Sequence, residues 1–204
     1  MLIMIAACLI AGVLVYPHLP LLVPGHWNVR GDADGMLSRG WGVSIFPLIM
    51  LVIFALWAYL PKLDPLAPHF TGSRKAYDFI WFLIEALLAY IYALTLLLML
   101  GYHLDPLRYF MPALGGFFIA MGTLLPRVPR NWFVGIRTPW TLHSDTVWAK
   151  THEFGGRLFV IAGILTIVGA ATRADLGLGL MLGSIAAAVI ASVVYSYLEY
   201  RKQR

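Results

Sequence analysis

Long apolar segments constrain the fold of this 204-residue chain more than any other feature. Hydrophobic residues make up 60% of the chain and charged residues only 12%, whereas about a quarter of the residues in an average soluble domain are charged. A helix needs roughly 20 apolar residues to cross a bilayer. The sequence therefore predicts an all-α fold, a polytopic membrane helix bundle with about six transmembrane helices. The expected spans are about Leu2–Tyr16, Trp41–Leu60, Tyr77–Leu100, Leu107–Leu125, Gly155–Ala171 and Leu176–Leu198.

The first and fifth expected spans are short, and the first contains the single cysteine, Cys8. One cysteine cannot form a disulfide within the chain. The N-terminal residues lack the basic segment and the clear cleavage site of a secretory signal. We therefore expect an uncleaved first span.

Basic residues are distributed unevenly between the segments that connect the spans. Eleven of the 15 Lys and Arg residues fall after span two, after span four and in the tail ending at Arg204. Such residues accumulate on the cytoplasmic side of a membrane. With six spans, both termini are then cytoplasmic and the protein is a multi-pass protein of the plasma membrane.

We expect one membrane domain over residues 1–204. Its N-terminal half, 1–100, carries an outer loop at 17–40, and its C-terminal half, 101–204, carries a cytoplasmic loop at 126–154. No basic face is left for nucleic acid once the helices are in lipid.

The two long loops resemble each other in sequence. Val23-Pro-Gly-His-Trp-Asn-Val29 aligns with Val128-Pro-Arg-Asn-Trp-Phe-Val134 at Val, Pro, Trp and Val. Each loop follows the first span of a three-span half, so the halves would have opposite orientations. One interpretation is an inverted three-plus-three repeat, a plan found in transporters. The other is a chance match between two loops rich in Pro and Trp.

A basic and aromatic segment, Leu125–Leu142, follows the fourth span. Two interpretations of it remain open. Arg127, Arg130 and Arg137 bind the phosphates of membrane lipid, or the segment binds a specific protein partner.

The residues after this segment predict a short helix on the membrane surface. Ser144 is a suitable N-cap, and Trp148 and His152 are four residues apart and so share a face. We expect this helix to lie flat before the fifth span enters the membrane.

The outer loop contains residues typical of tight turns. Gly31 and Gly35 permit positive φ, and the side chain of Asn28 can bond nearby backbone groups. Four side chains of metal-ligand type lie in the loop: His18, His26, Asp32 and Asp34. Their spacing matches no established ligand pattern, so the sequence predicts hydrogen-bonded turns and no metal site.

Glu85 lies in the middle of the third expected span. A carboxyl group there costs about 2.5–3.5 kcal/mol on insertion scales, so it should face protein or water. Its expected partner is an arginine of the cytoplasmic loop or the hydroxyl of Tyr92, seven residues further along the same stripe. A proton- or ion-coupled role and a structural hydrogen bond between helices both remain open.

Small residues in two spans predict close contacts between helices. They are Gly115 and Gly116 in the fourth span and Gly179 and Gly183 in the last. These residues indicate packing and not activity.

Catalytic motifs are not evident in the sequence. His143, Asp145 and His152 lack a serine or cysteine nucleophile in an activating motif, and the His-Glu-x-x-His pattern is absent. The sequence predicts no catalytic residues, no cofactor and no enzyme activity.

Both long loops carry motifs that resemble those of the bacterial SdpI-type immunity protein family. The outer loop matches the Pro-x-His-Trp-Asn pattern of an N-terminal domain of unknown function through Pro24, His26, Trp27, Asn28, Gly31, Asp34 and Gly35. The second half matches a longer pattern through Asn131, Gly135, Ile136, Arg137, Thr138, Pro139, Trp140, Thr141, Leu142, Ser144, Asp145, Trp148, Lys150, Thr151 and His152. The resemblance covers nearly the whole chain.

The resemblance implies a bacterial plasma-membrane protein that protects a cell from a secreted antimicrobial peptide. It also implies that a cytoplasmic transcriptional repressor can be recruited to the membrane. The expected ligand- and partner-binding residues are His26, Trp27, Asn28, Gly31 and Asp34 outside, and Arg127, Arg130, Asn131, Arg137, Trp140, Ser144, Trp148, Lys150 and His152 inside.

Three functions of different classes follow. The first is non-enzymatic immunity and signalling, for which Arg137→Ala should abolish recruitment of the regulator. The second is a small proton- or ion-coupled transporter or exporter that depends on Glu85. The third and least favoured is a membrane-embedded metal-dependent hydrolase, built on His26 with Asp32 and Asp34 or on His143 with His152.

Overall fold

The computed structural model describes residues 1–66 and 74–203. Within them the chain forms seven α-helices and one two-stranded antiparallel sheet. The helices are Leu2–Val15 (α1), Arg39–Leu63 (α2), Arg74–Met99 (α3), Pro106–Leu124 (α4), Pro139–His143 (α5), Asp145–Gly169 (α6) and Ala174–Arg201 (α7). The strands are Leu22–Trp27 (β1) and Ala33–Ser38 (β2).

The prediction of a helical membrane bundle is confirmed. In the described part of the chain, five helices are long and apolar enough to cross a membrane; they are α2, α3, α4, α6 and α7. Helix α1 has 14 residues and is therefore about 21 Å long, short of the roughly 30 Å of hydrocarbon in a bilayer. A turn of 3-10 helix, Tyr16–His18, extends it.

The fifth span differs from the expectation. The sequence predicted a flat surface helix followed by a short span from Gly155, but α6 runs unbroken from Asp145 to Gly169 over 25 residues. Gly155 and Gly156 do not end the helix, because they lie where α6 packs closely against its neighbours. Ser144 is its N-cap, as predicted, and its side chain accepts a hydrogen bond from the Val147 N–H.

The outer loop also differs, since part of it is a β-hairpin. In the register of β1 and β2, Val23 lies opposite Leu37 and Trp27 lies opposite Ala33, with bulges around His26. Val23 is fully buried and packs into the apolar cluster formed with α1, α2 and α3. We call residues 22–38 the outer hairpin.

The charge distribution predicted that the N-terminus, the segments after spans two and four, and the tail lie on the cytoplasmic side. In the structure these segments meet at one end of the bundle. Met1 packs into the apolar cluster formed with residues of the 125–144 segment. Asp64, just after α2, accepts a hydrogen bond from the Trp132 N–H at 3.1 Å, and Gln203 of the tail bonds Ser144 at 2.9 Å. Arg204, counted among the basic residues of the tail, lies outside the described residues. We call residues 125–144 the inner loop and this end the inner end.

The inverted repeat stays a prediction. Each half has a first span that ends in a single 3-10 turn containing proline, at Tyr16–His18 and at Leu125–Arg127. The aligned Val23 and Val128 are both buried. After these positions the halves diverge, because the first continues into a hairpin and the second into the inner loop and α5.

Paired glycines bring α4 and α6 into close contact. A Cβ atom on Gly163 would lie 2.5 Å from the carbonyl oxygen of Gly115, and one on Gly156 would lie 2.5 Å from that of Gly122. Backbone approach of this kind is the usual role of small residues between membrane helices. The predicted contact through Gly115 is thus present.

Three other glycines named by the sequence lie in open space. A Cβ atom on Gly116, Gly179 or Gly183 would meet no described atom within 4 Å. The last span approaches α6 through Gly177 instead, whose Cβ would lie 2.5 Å from the carbonyl oxygen of Gly169.

Adjacent glycines of α4 allow a matched test of this packing. We expect Gly115→Ala to destabilise the bundle by about 1–3 kcal/mol, because a new methyl group would overlap α6. The unfolding temperature in detergent should fall by several degrees. Gly116→Ala adds the same methyl group in open space and should leave it unchanged. Equal unfolding temperatures for the two variants would contradict the α4–α6 contact.

Candidate functional site

Two structured surfaces lie at opposite ends of the bundle. The outer hairpin leads into the first residue of α2, and the inner loop contacts Asp64 just beyond its last residue. Helix α2 has 25 residues, so the two surfaces are about 37 Å apart along it. Each surface contains one of the motifs that the sequence singled out.

Asn131 organises the first part of the inner loop. Its side chain is fully buried, and its Oδ1 accepts hydrogen bonds from the N–H groups of Phe133 at 2.8 Å and Val134 at 2.6 Å. Its Nδ2 donates to the carbonyl oxygens of Pro129 at 2.9 Å and Val134 at 2.8 Å. An asparagine can make four such bonds, so the side chain is saturated and serves the shape of the loop.

His152 supports the next part of the inner loop from α6. The ring is fully buried, and its Nε2 accepts a hydrogen bond from the Ile136 N–H at 3.0 Å. Its Nδ1 lies 2.8 Å from the carbonyl oxygen of Trp148. The neutral tautomer with its proton on Nδ1 satisfies both contacts. This imidazole therefore holds backbone in place.

Trp148 and Gly135 complete this contact. The Trp148 ring stacks on the His152 ring with centroids 3.9 Å apart, and its Nε1 donates to the carbonyl oxygen of Val128 at 2.9 Å. Gly135 has φ of +125°, where other residues are strained. A Cβ atom there would also overlap the two rings. Backbone and aromatic faces thus touch directly.

Helix α5 is fastened to α7 through hydroxyl groups. Thr138 and Thr141 form a capping box at the start of α5. The Thr138 hydroxyl also lies 3.1 Å from that of Ser196 in α7. Trp140 packs its ring on that of Tyr197, with centroids 5.0 Å apart. The inner loop is therefore held between α6 and α7.

Several charged residues of the inner end pair with one another. Arg130 donates to Asp145 at 2.6 Å and to the carbonyl oxygen of Leu142 at 2.6 Å. Lys150 bonds Glu199 at 2.8 Å, and Lys202 bonds the same carboxylate. Glu199 is only 3% exposed, whereas the Lys150 side chain is 51% exposed, so α6 and α7 are linked by an ion pair with a buried carboxylate and a solvent-facing lysine.

Arg127, Arg137 and Trp132 remain exposed on the inner loop. Arg137 donates to the carbonyl oxygen of Trp132 at 2.7 Å. In the described residues neither arginine takes part in an ion pair. Arg127 and Arg137 belong to the predicted inner site, whose Lys150 is also exposed but ion-paired, whereas Trp132 was not among the predicted residues.

Asn28 organises the tip of the outer hairpin. Its Oδ1 accepts hydrogen bonds from the N–H groups of Arg30 at 2.8 Å and Asp32 at 3.1 Å. Gly31 adopts φ of +83°, as the turn prediction required. Gly35 does not, because it lies in β2 opposite His26. The hairpin is a shaped element with a fixed tip.

A groove of about 240 Å³ lies between the outer hairpin and the ends of α3 and α4. His26, Trp27 and Asn28 line one side of it. The other walls are mainly apolar: Ile91, Leu94, Thr95, Leu98, Pro106, Leu107 and Phe110. The motif residues of the hairpin thus face a space that a ligand could fill.

His26 pairs with Asp34 across the hairpin, with Nδ1 and Oδ1 2.5 Å apart. Among the residues that the structure describes, no three His, Cys, Asp or Glu side chains are grouped to hold a metal ion. His143 and His152, the other histidine pair considered for a metal site, pack against different aromatic rings. His143 lies edge-on against Tyr200, whereas His152 stacks on Trp148.

Glu85 is fully buried on α3, and neither of its carboxyl oxygens has a hydrogen-bond partner among the described residues. Neither expected partner contacts it. Tyr92 donates instead to the carbonyl oxygen of Val43 at 2.8 Å. Glu85 lies between the apolar clusters that contain Trp81 and Tyr92.

Sequence reasoning missed several residues that build the inner end. Asp64 holds the Trp132 N–H, and Glu199 holds both Lys150 and Lys202. The Thr-Pro-x-Thr pattern at Thr138 carried a usable signal, since threonine before proline is typical of a helix start. The contacts of Asp64 and Glu199 join distant parts of the chain and had no local signal.

Comparisons with known proteins agree with the two-motif organisation. The SdpI/YfhL protein family matches residues 127–196, and a domain of unknown function (DUF1648) matches residues 3–51. The chain is 28% identical over 201 residues to the protein named "Immunity protein SdpI" of Bacillus subtilis (strain 168), covering 97% of this chain and 94% of that protein. No solved structure matches the chain. On these matches the chain resembles the SdpI/YfhL protein family over residues 127–196, and an immunity protein over nearly its whole length.

Proposed function

We propose that this protein is a multi-pass membrane immunity protein that protects its cell from a secreted antimicrobial peptide. The observation that carries the proposal is similarity to a protein named for immunity over 97% of this chain, both long loops included. The outer hairpin faces away from the cell and both termini lie in the cytoplasm, an orientation supported by the grouping of basic segments at the inner end.

The groove beneath the outer hairpin is the binding site for the peptide. Its walls are mainly apolar, and the indole of Trp27 adds an aromatic surface. Peptides that act on membranes carry apolar side chains, and such side chains bind well where an aromatic ring and a pocket meet. The hydrogen bonds of Asn28 hold the hairpin in shape, which lowers the entropic cost of binding.

Two tryptophans at the outer end, the half-buried Trp27 and the exposed Trp41, distinguish peptide binding in the groove from a general effect of indole rings at the membrane surface. Trp27→Ala removes a wall of the groove and should raise the susceptibility of cells to the peptide about tenfold or more, as loss of a binding hot spot does. Trp41→Ala removes an indole that is 60% exposed and does not line the groove, so it should retain protection. Growth is measured at matched membrane abundance over a series of peptide concentrations.

The outcomes of this experiment are distinct. Absence of protection by the wild-type protein, relative to cells without it, would contradict the immunity role. Protection that Trp27→Ala and Trp41→Ala reduce equally would contradict the groove as the binding site while leaving the immunity role.

A cytoplasmic regulator binds at the inner loop. Trp132 is 48% exposed and Arg127 of the same loop is also exposed, while Asn131 and His152 hold the backbone of the loop. An aromatic side chain and an arginine on a rigid loop are typical of protein-binding surfaces. This surface supports a signalling role, in which a peptide binds at the outer end and a cytoplasmic repressor binds at the inner end.

Proton- or ion-coupled transport is the second candidate function, because the buried carboxyl group of Glu85 lacks a hydrogen-bond partner among the described residues. Such groups in membrane spans often mark ion pathways. Glu85→Gln keeps the shape of the side chain and removes its charge. If protection comes from peptide binding, this variant should protect cells as the wild type does. Loss of protection at unchanged abundance would favour ion-coupled export.

A further inference from the structure

A second groove, of about 290 Å³, lies between α6 and α7 at the inner end. Phe159 of α6 and Val189 and Val193 of α7 form its apolar walls. Ile136 and Arg137 of the inner loop contribute its remaining side. An apolar cleft is therefore bounded by one cationic side chain.

The groove extends to the depth of the lipid tails. Val189 is twelve residues before Arg201, the last residue of α7, which places it about 18 Å along the helix from that end. Val189 is 45% and Val193 38% exposed, so the groove is continuous with the surface that faces lipid. In a membrane the molecule that reaches this space is an acyl chain.

The charge at the groove is not neutralised by the protein. Arg130, Lys150 and Arg157 each pair with a carboxylate. Arg137 takes part in no ion pair in the described part of the chain, and one of its N–H groups bonds the carbonyl oxygen of Trp132. A guanidinium has five N–H donors in a planar fork that matches a phosphate, so donors remain for an anion.

The position of Arg137 is fixed by its neighbours in the chain. On one side, the Ile136 N–H is bonded to His152 at 3.0 Å. On the other, the Thr138 hydroxyl lies 3.1 Å from that of Ser196, five residues before the end of α7. The backbone is thus held close to the level where phosphate groups of a leaflet lie.

We propose that this groove binds one anionic phospholipid of the adjacent leaflet. Its phosphate bonds the Arg137 guanidinium, and one acyl chain lies along Phe159, Val189 and Val193. The sequence left open whether the inner arginines bind lipid or a protein partner. In this proposal Arg137 binds lipid, whereas the exposed Arg127 lies apart from the groove. The site is independent of immunity, and its test requires no peptide toxin.

Lipid binding is measured on the purified full-length chain in detergent by native mass spectrometry. Phosphatidylglycerol is the anionic probe and phosphatidylcholine the zwitterionic one. The wild type should retain one phosphatidylglycerol in preference to phosphatidylcholine. Arg137→Gln should lower the affinity for phosphatidylglycerol about tenfold, as loss of a charge-assisted hydrogen bond does, and Arg137→Lys should restore part of it.

Two further variants test whether phosphatidylglycerol binds in the groove or is attracted by positive charge anywhere on the inner loop. Arg127→Gln removes the same charge from the same loop, outside the groove, and should bind phosphatidylglycerol as the wild type does. Val189→Trp fills the groove and should lower binding while Arg137 is intact. Thermal unfolding without added lipid shows that each variant is folded.

Four results would overturn the proposal. They are equal retention of the two lipids by the wild type, equal losses in Arg127→Gln and Arg137→Gln, unchanged binding in Val189→Trp, and complete displacement of the lipid by inorganic phosphate. The proposal would also fail if Arg137→Gln bound lipid normally but no longer recruited the regulator. Arg137 would then be a contact residue for the cytoplasmic regulator.

Discussion

Irregular backbone that is buried between helices has to find its hydrogen bonds inside the protein, and the shape of the inner end depends on the side chains that supply these bonds. Asn131 satisfies four backbone groups of the inner loop, and His152 satisfies a fifth from α6. Together they allow a segment without regular structure to lie between α6 and α7. Without these side chains, the exposed Arg137 would have no fixed position.

The need to satisfy buried backbone groups also explains why most polar residues of the inner-loop motif are buried. Thr138 and His152 are part of the longest match to the family, yet their polar atoms bond within the chain. Their role is to shape the loop. The residues that can meet a partner are the few left outside, Trp132 and Arg127 among them. A motif of this length therefore combines a scaffold with a small contact surface.

Most of the spans were predictable because segment length and hydropathy are local properties of the sequence. The N-cap at Ser144 and the turn at Gly31 were predictable for the same reason. The outer hairpin was not, since β1 contains Pro24 and Gly25 and β2 is rich in polar and small residues. Its buried side depends on Val23 meeting three helices.

Other features could not be predicted because they depend on distant partners. Gly155 and Gly156 suggested a break before the fifth span, but contacts with α4 and α7 keep them within one helix. The surroundings of Glu85 were also beyond sequence reasoning, because Tyr92 bonds α2 instead. Which arginines are paired and which are exposed likewise depends on carboxylates from other segments.

The proposed function requires the outer hairpin and the inner loop to lie on opposite sides of the membrane. This placement is tested most directly by labelling single cysteines in intact cells with a maleimide that does not cross membranes. In a Cys8→Ser background, Val29→Cys at the exposed hairpin tip and Arg127→Cys on the inner loop report the two ends. We expect Val29→Cys to be labelled in intact cells and Arg127→Cys only after lysis. Labelling of Arg127→Cys in intact cells, with Val29→Cys protected, would contradict this placement.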